Sequence, residues 1–302
     1  MKIQNAIIIG FGSSGKRYAK ILKKNKNIAK VFVVSQNKNC SFKRYENLNE
    51  IKDLDFSLVV ISSKTSDHYN HLKFIENNFK NKKIIVEKPL FSSPQKLKIK
   101  NNKVYVGYNL RFDPMIKFLK KIINKRKSEI IFSNLTCLSF LPSWKKKNTY
   151  DKSYHSSVKY GGGVTRDLSH EIDLGCYLFG LNKIKYAINS KKSPLKINTD
   201  DFSNLLGEGY KKCIISISLN YYFHKEVRQI HLGMKNKSYI IDLISRKFVS
   251  KTVSKEKLRI FKKTKDRTYY DLVDDVIQNK KNCCNFYEGM KVNQIIGKFK
   301  TL

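Results

Sequence analysis

Along the first 110 residues, five short apolar runs at 6–9, 31–34, 58–61, 84–86 and 104–106 recur between polar stretches. None alternates with polar residues, which is the pattern of strands covered on both faces, as in a parallel sheet. Between them, residues 16–24 and 67–79 carry apolar positions at helical spacing and read as crossover helices. Repeated strand, helix, strand units predict a doubly wound α/β domain.

Beyond Pro114 the texture changes. A helix is expected over 115–124, a long alternating strand over 130–140 and a second helix over 168–179. The segments 213–223, 227–233, 238–244 and 247–253 alternate apolar and polar residues and are separated by short Gly, Asn or Lys turns, as in an antiparallel sheet. Residues 269–278 and 288–299 return to helical spacing. The chain is too long for one core, so two domains are expected: a doubly wound parallel one over 1–111, and over 112–302 an α+β domain with a large, mostly antiparallel open sheet.

Composition changes the picture in one respect. The formal net charge is +37 over 302 residues, a field that would attract nucleic acid, anionic lipid or phosphorylated substrates. Nearly all of it is lysine spread along the whole chain, and arginine, the residue that grips phosphate and base edges bidentately, is scarce. A solvated surface is therefore the better reading, and nucleic acid is not the expected partner. No run of some 20 apolar residues predicts a membrane span, and the first residues enter a strand without a signal-peptide core, so a cytoplasmic protein is expected. Six scattered cysteines without CxxC spacing or matching histidines argue against disulfides and a metal site.

The sharpest local motif is Gly10-Phe11-Gly12-Ser13-Ser14-Gly15, directly after the first strand and opening a helix. Glycines at this spacing let the chain turn tightly, let backbone N–H groups approach a pyrophosphate, and let helix and strand pack closely. In this context the motif predicts a Rossmann domain that binds NAD or NADP. The acidic residue that would hold an adenosine ribose 2′-OH is absent at the end of the second strand. Ser35 and Lys38 stand there instead, which leans the choice to NADP. Lys88, in Glu87-Lys88-Pro89 at the end of the fourth run, has the position of a proton-exchanging lysine in the ligand crevice, or of a surface lysine before a turn proline.

Five ordered segments carry a family resemblance: GFGSSG (10–15), VVISSKTSDHYNHL (59–72), EKP (87–89), GYNLRFDP (107–114) and GGGVTRDLSHEIDLGCYLFG (161–180). Together they resemble the Gfo/Idh/MocA oxidoreductases. The resemblance implies hydride transfer between a nicotinamide and a hydroxyl-bearing carbon of a sugar or nucleotide sugar, possible work in surface-glycan biosynthesis, and a homodimer or homotetramer formed through the open sheet. It makes Lys88, Asp167 and His170 the catalytic residues. Asp167 and His170 stand three apart where the family commonly has four, so on one helix either His170 or Glu171 would share a face with Asp167; His170 is preferred for its near-neutral pKa. Ser62, Ser63, His68, Glu87 and Lys88 join residues 10–15 as cofactor contacts, with Lys64 replacing the usual proline of their turn. Asn109, Arg111, Tyr154 and Gly163 are the expected substrate contacts, with an ion pair the alternative role for Arg111 and a structural turn for the glycine triplet. Trp144 and Tyr150 belong to the same aromatic loop. A non-catalytic Rossmann protein that binds nucleic acid or anionic membrane through its basic surface is the competing reading.

Overall fold

The computed structural model describes residues 4–144, 149–262 and 266–302. The chain forms two compact units, Met1–Asn109 with Asp266–Asn293, and Leu110–Lys265 with Gln294–Leu302.

The first unit is built on β1 (Gln4–Ile9), α1 (Ser13–Lys23), β2 (Ile28–Val34), β3 (Lys43–Tyr45), β4 (Leu58–Ile61), α2 (His68–Asn78), β5 (Lys83–Val86) and β6 (Lys103–Val106). These strands pair in parallel in the order β6-β5-β4-β1-β2-β3. Each expected apolar run is a strand, and Ala6–Ile9 of β1 and all of β4 are almost wholly excluded from water. The edge strand β3 has too few apolar residues to be seen in the pattern.

The second unit begins with α3 (Pro114–Lys125), where Asp113 caps the helix by accepting the Met115 N–H at 2.8 Å and Pro114 occupies the first turn. It continues with β7 (Ile130–Phe140), α4 (Val164–Asp167), α5 (His170–Phe179), β8 (Lys183–Ser190), β9 (Phe202–Glu208), β10 (Ile214–Asn220), β11 (Tyr222–Met234), β12 (Lys237–Asp242), β13 (Lys247–Lys251) and β14 (Glu256–Ile260). The helix expected over 168–179 is α5, which begins two residues later at His170; the short α4 precedes it as a separate piece, and Leu168 between them (φ −99°, ψ 24°) leaves regular helical geometry. The sheet runs β14-β13-β12-β11-β7-β10-β9-β8 and ends on β16 (Lys300–Thr301); β7 pairs in parallel with β10, as β8 does with β16, and the remaining pairs are antiparallel. α5 lies close on it: a side chain on Gly175 would come within 3.3 Å of Ile217.

Three late elements, α6 (Arg267–Ile277), β15 (Cys284–Asn285) and α7 (Phe286–Ile296), follow. α6 and β15 lie in the first unit, where β15 adds an antiparallel edge to β6. All six cysteines are free thiols, and Cys283 and Cys284 are buried as packing. Among the described residues no helix is long and apolar enough to cross a membrane.

Candidate functional site

In the first unit the predicted cofactor residues meet at the carboxyl ends of neighbouring strands β1, β4 and β5. Gly10 has φ +91°, and a side chain there would lie 2.5 Å from the Ser63 backbone. One on Gly15 would lie 2.2 Å from the Gly10 carbonyl. Both glycines are thus demanded by packing inside the turn. Gly12 is different, because a side chain there would meet nothing within 4 Å and its backbone conformation suits any L-residue. No side chain caps α1, and no acidic residue stands in its first turn. The open space beside these N–H groups is what a pyrophosphate requires, so the residues present fit a dinucleotide. The Phe11 side chain packs edge-on against Phe42, leaving only its backbone to the turn.

The neighbouring turns are laced to this one. Ser62 donates its hydroxyl to the Gly10 carbonyl at 2.9 Å, and Ser63 bonds His71 at 2.9 Å. His68 is buried between the carbonyls of Pro89 (3.1 Å) and Ser63 (3.3 Å). It therefore ties the turn at 62–68 to that at 87–89. Burial lowers its pKa to about 4, so it stays neutral and acts as a clamp that closes the turn. Glu87 is also buried, beneath Gly107. Burial pushes its carboxyl pKa up, and the adjacent Lys88 charge is the strongest influence pulling it back. Lys88 itself is half-buried. At the end of β2, Ser35 accepts the Asn37 N–H at 3.0 Å through its hydroxyl, and Lys38 is exposed. Sequence reasoning missed Arg44 of β3, which donates to the Ser35 carbonyl at 3.0 Å and to Glu46 at 2.9 Å. Asn109, expected on substrate, instead donates to Thr268 at 2.7 Å.

In the second unit Asp167 is the centre of a buried cluster that brings it a histidine the sequence did not suggest. His155 Nδ1 lies 2.7 Å from Asp167 Oδ2, and the buried Tyr221 hydroxyl donates to the same oxygen. Burial, and then the Asp167 charge, raise the Tyr221 pKa well above its ordinary 10, which keeps the phenol a donor. Tyr154 lies tilted against the His155 ring with centroids 3.9 Å apart, and Trp144 meets it edge-on at 5.2 Å. Tyr154, expected to touch substrate, thus helps hold a histidine. With Nδ1–H facing the carboxylate, the neutral imidazole has its lone pair on Nε2, the arrangement that makes a histidine a proton acceptor. Lysines 145–147 of the same loop lie outside the described residues.

The remaining predicted residues have other settings. His170 is buried at the first position of α5, after the break that follows α4, so the single-helix argument linking it to Asp167 does not hold. Glu171, the alternative, pairs with Arg228 at 2.9 Å. Arg111 is buried in a forked ion pair with Asp173, at 3.0 Å through Nε and 2.6 Å through the terminal nitrogen, and its guanidinium lies 4.5 Å over the Tyr177 ring. This is the ion-pair role that stood as the alternative to a substrate contact. The glycine triplet also has internal reasons. A side chain on Gly162 would lie 2.3 Å from the Tyr154 carbonyl, and one on Gly163, at φ +116°, would lie 2.1 Å from Asp200. The turn therefore exists so that the segment carrying His155 can fold back onto it. No fixed spacing links His155 to Asp167, and this is why the sequence pattern did not reveal the pair.

Residues 4–100 match the model of a family described as an oxidoreductase family with an NAD-binding Rossmann fold, Gfo/Idh/MocA. No curated protein matches the chain in sequence. Among solved structures, levoglucosan dehydrogenase in complex with NADH superposes with a TM-score of 0.83 at 17% identity, covering 98% of this chain and 95% of that one. UDP-N-acetylglucosamine 3-dehydrogenase from Acidithiobacillus ferrooxidans gives 0.75 at 13% identity, over 98% and 96%. The WlbA dehydrogenase from Bordetella pertussis, in complex with NADH and UDP-GlcNAcA, gives 0.80 at 14%, over 98% and 95%. At these identities the likeness is one of fold.

Proposed function

We propose, from the premise that residues 4–100 belong to the Gfo/Idh/MocA oxidoreductases, that this protein oxidises or reduces a hydroxyl-bearing carbon of a sugar or nucleotide sugar with NADP or NAD. The observation that carries the reading is the open space at Gly12 before an uncapped helix. Residues 10–15 and Ser62–Ser63 hold the dinucleotide, and Arg44 with Lys38 supplies positive charge where an adenosine 2′-phosphate would sit, so NADP is preferred. When bound, the nicotinamide supplies the hydride acceptor or donor. Nucleotide-sugar dehydrogenases among the structural neighbours make a diphosphate-linked sugar the first substrate to try.

The proton side of the reaction is assigned to this chain's own groups. Lys88 exchanges the hydroxyl proton, with buried Glu87 keeping its charge balanced. His155 is the imidazole we assign to proton handling in place of His170, because Asp167 holds its Nδ1 side and fixes its tautomer and orientation. Asp167 and Tyr221 act through His155 as positioning residues.

The test is a hydride-transfer screen over sugars and nucleotide sugars, with NADPH and NADH consumption followed at 340 nm. On the substrate found, Lys88→Ala should lower kcat with little change in NADPH affinity. His155→Asn should lower kcat by about 100-fold or more, while His170→Asn should lower it far less. Failure to bind either cofactor at millimolar concentration would overturn the reading. The larger loss of kcat in His170→Asn instead would return the role to that residue.

The open face of the second unit's sheet exposes Ile131, Tyr186, Leu206, Ile214 and Ile240. Such a face supports pairing of two copies. Sedimentation of Ile214→Lys as a smaller species than wild type is the expected result.

A further inference from the structure

The second unit holds a separate cavity of about 620 Å³, in the size range of small-ligand sites, where the inner faces of β12, β13 and β14 run past the end of α3. Its floor is aromatic and aliphatic. Tyr239 pairs across to Ser250 and on to Lys257, and Phe248 pairs to Arg259, so these side chains share one face of the sheet. α3 adds Phe118, Ile122 and Lys125, which lie on one helical face, and Phe118 meets Phe248 edge-on at 5.0 Å.

The rim is cationic beyond what composition supplies. Sixty-one of 302 residues are Lys or Arg, about one in five, yet five of eleven lining residues are cations and none is acidic. Among the described residues, only Arg126 of these five has a carboxylate partner, Glu129 at 3.6 Å. Arg259 is the exception among the arginines. Seven of them, including Arg17, Arg111, Arg228 and Arg246, pair with carboxylates, and Arg166 bonds the Gly162 carbonyl. Arg259 has no carboxylate partner among the described residues and lies 4.7 Å over both Phe118 and Phe261. Two rings orient its planar fork, which matches phosphate oxygens bidentately.

We infer that this cavity binds a nucleoside diphosphate, its base against Phe118, Phe248 and Tyr239 and its phosphates on Arg259, Lys257 and Lys125. A flat ring suits the aromatic floor, and several unpaired cations around it call for more than one negative charge. The site is distinct from the dinucleotide turn of the first unit and does not rest on the catalytic reading.

The test is equilibrium titration of the full chain, saturated with NADPH, with UDP, pyrophosphate and decanoate as probes. Wild type is expected to bind UDP saturably and at least tenfold tighter than pyrophosphate or decanoate. The double variant Lys257→Ala/Arg259→Ala should weaken UDP at least tenfold with the same NADPH titration and melting temperature. Arg259→Lys, which keeps the charge and loses the planar fork, should weaken it by a smaller factor. UDP binding unchanged in the double variant would overturn the assignment, as would pyrophosphate or decanoate binding as tightly as UDP. Because NADPH binding is read separately, this result and that of the cofactor titration can fail independently.

Discussion

In the turn at residues 10–15 a side chain on Gly12 would meet no atom within 4 Å, whereas in the turn at 161–163 side chains on Gly162 and Gly163 would collide with Tyr154 and Asp200 at 2.3 and 2.1 Å. As sequence the two read alike: a cluster of glycines ahead of a helix, in a segment that resembles the same family. The second satisfies a demand from within the protein and the first leaves room for something from outside it. The histidines divide the same way in reverse. His68, beside the first turn, is a buried clamp between two carbonyls, while His155, folded onto the second, has its proton placed by a carboxylate as a working imidazole does.

The largest effect that would break this comparison is on stability. Gly163→Ala should cost roughly 3 kcal/mol or more, from strained backbone and overlap with Asp200, measured by chemical denaturation of the second unit's transition. A loss below about 1 kcal/mol would mean that the triplet is not internally required. The next concerns His68. Its pKa is about 4 when folded against an ordinary 6.5, so between those values the unfolded chain binds more protons. Its contribution is complete above pH 6.5 and is lost as pH falls toward 4, by about 3 kcal/mol. Denaturation at stepped pH should show this slope in wild type and a flatter one in His68→Gln. The smallest effect is predicted for Gly12→Ala, within about 1 kcal/mol of wild type.

Much of this was legible in the sequence. Buried parallel strands announced themselves as unbroken apolar runs, and β7 was read to the residue because alternation is strong when one face is covered. Short edge strands β3 and β14 were not, since they bury too little to leave a pattern. At the candidate site, Gly10–Gly15 and Lys88 could be singled out in the sequence because their spacing and strand-end position are local. Arg111, Asn109 and His68 were seen as polar residues near a crevice, and only coordinates reveal that Asp173, Thr268 and two carbonyls already occupy them. His155 was missed for the same reason in reverse: its carboxylate partner is brought to it by a turn, and sequence distance carries no trace of it.

The central claim is that the vacancy at Gly12 is shaped for a dinucleotide, and fluorescence titration of NADPH and NADH against wild type and Gly12→Ala tests it most directly. Saturable binding in wild type, weakened about tenfold or more in Gly12→Ala with an unchanged melting temperature, is the result this account predicts. Equal affinity in the two proteins, or no saturation in wild type at millimolar cofactor, would contradict it.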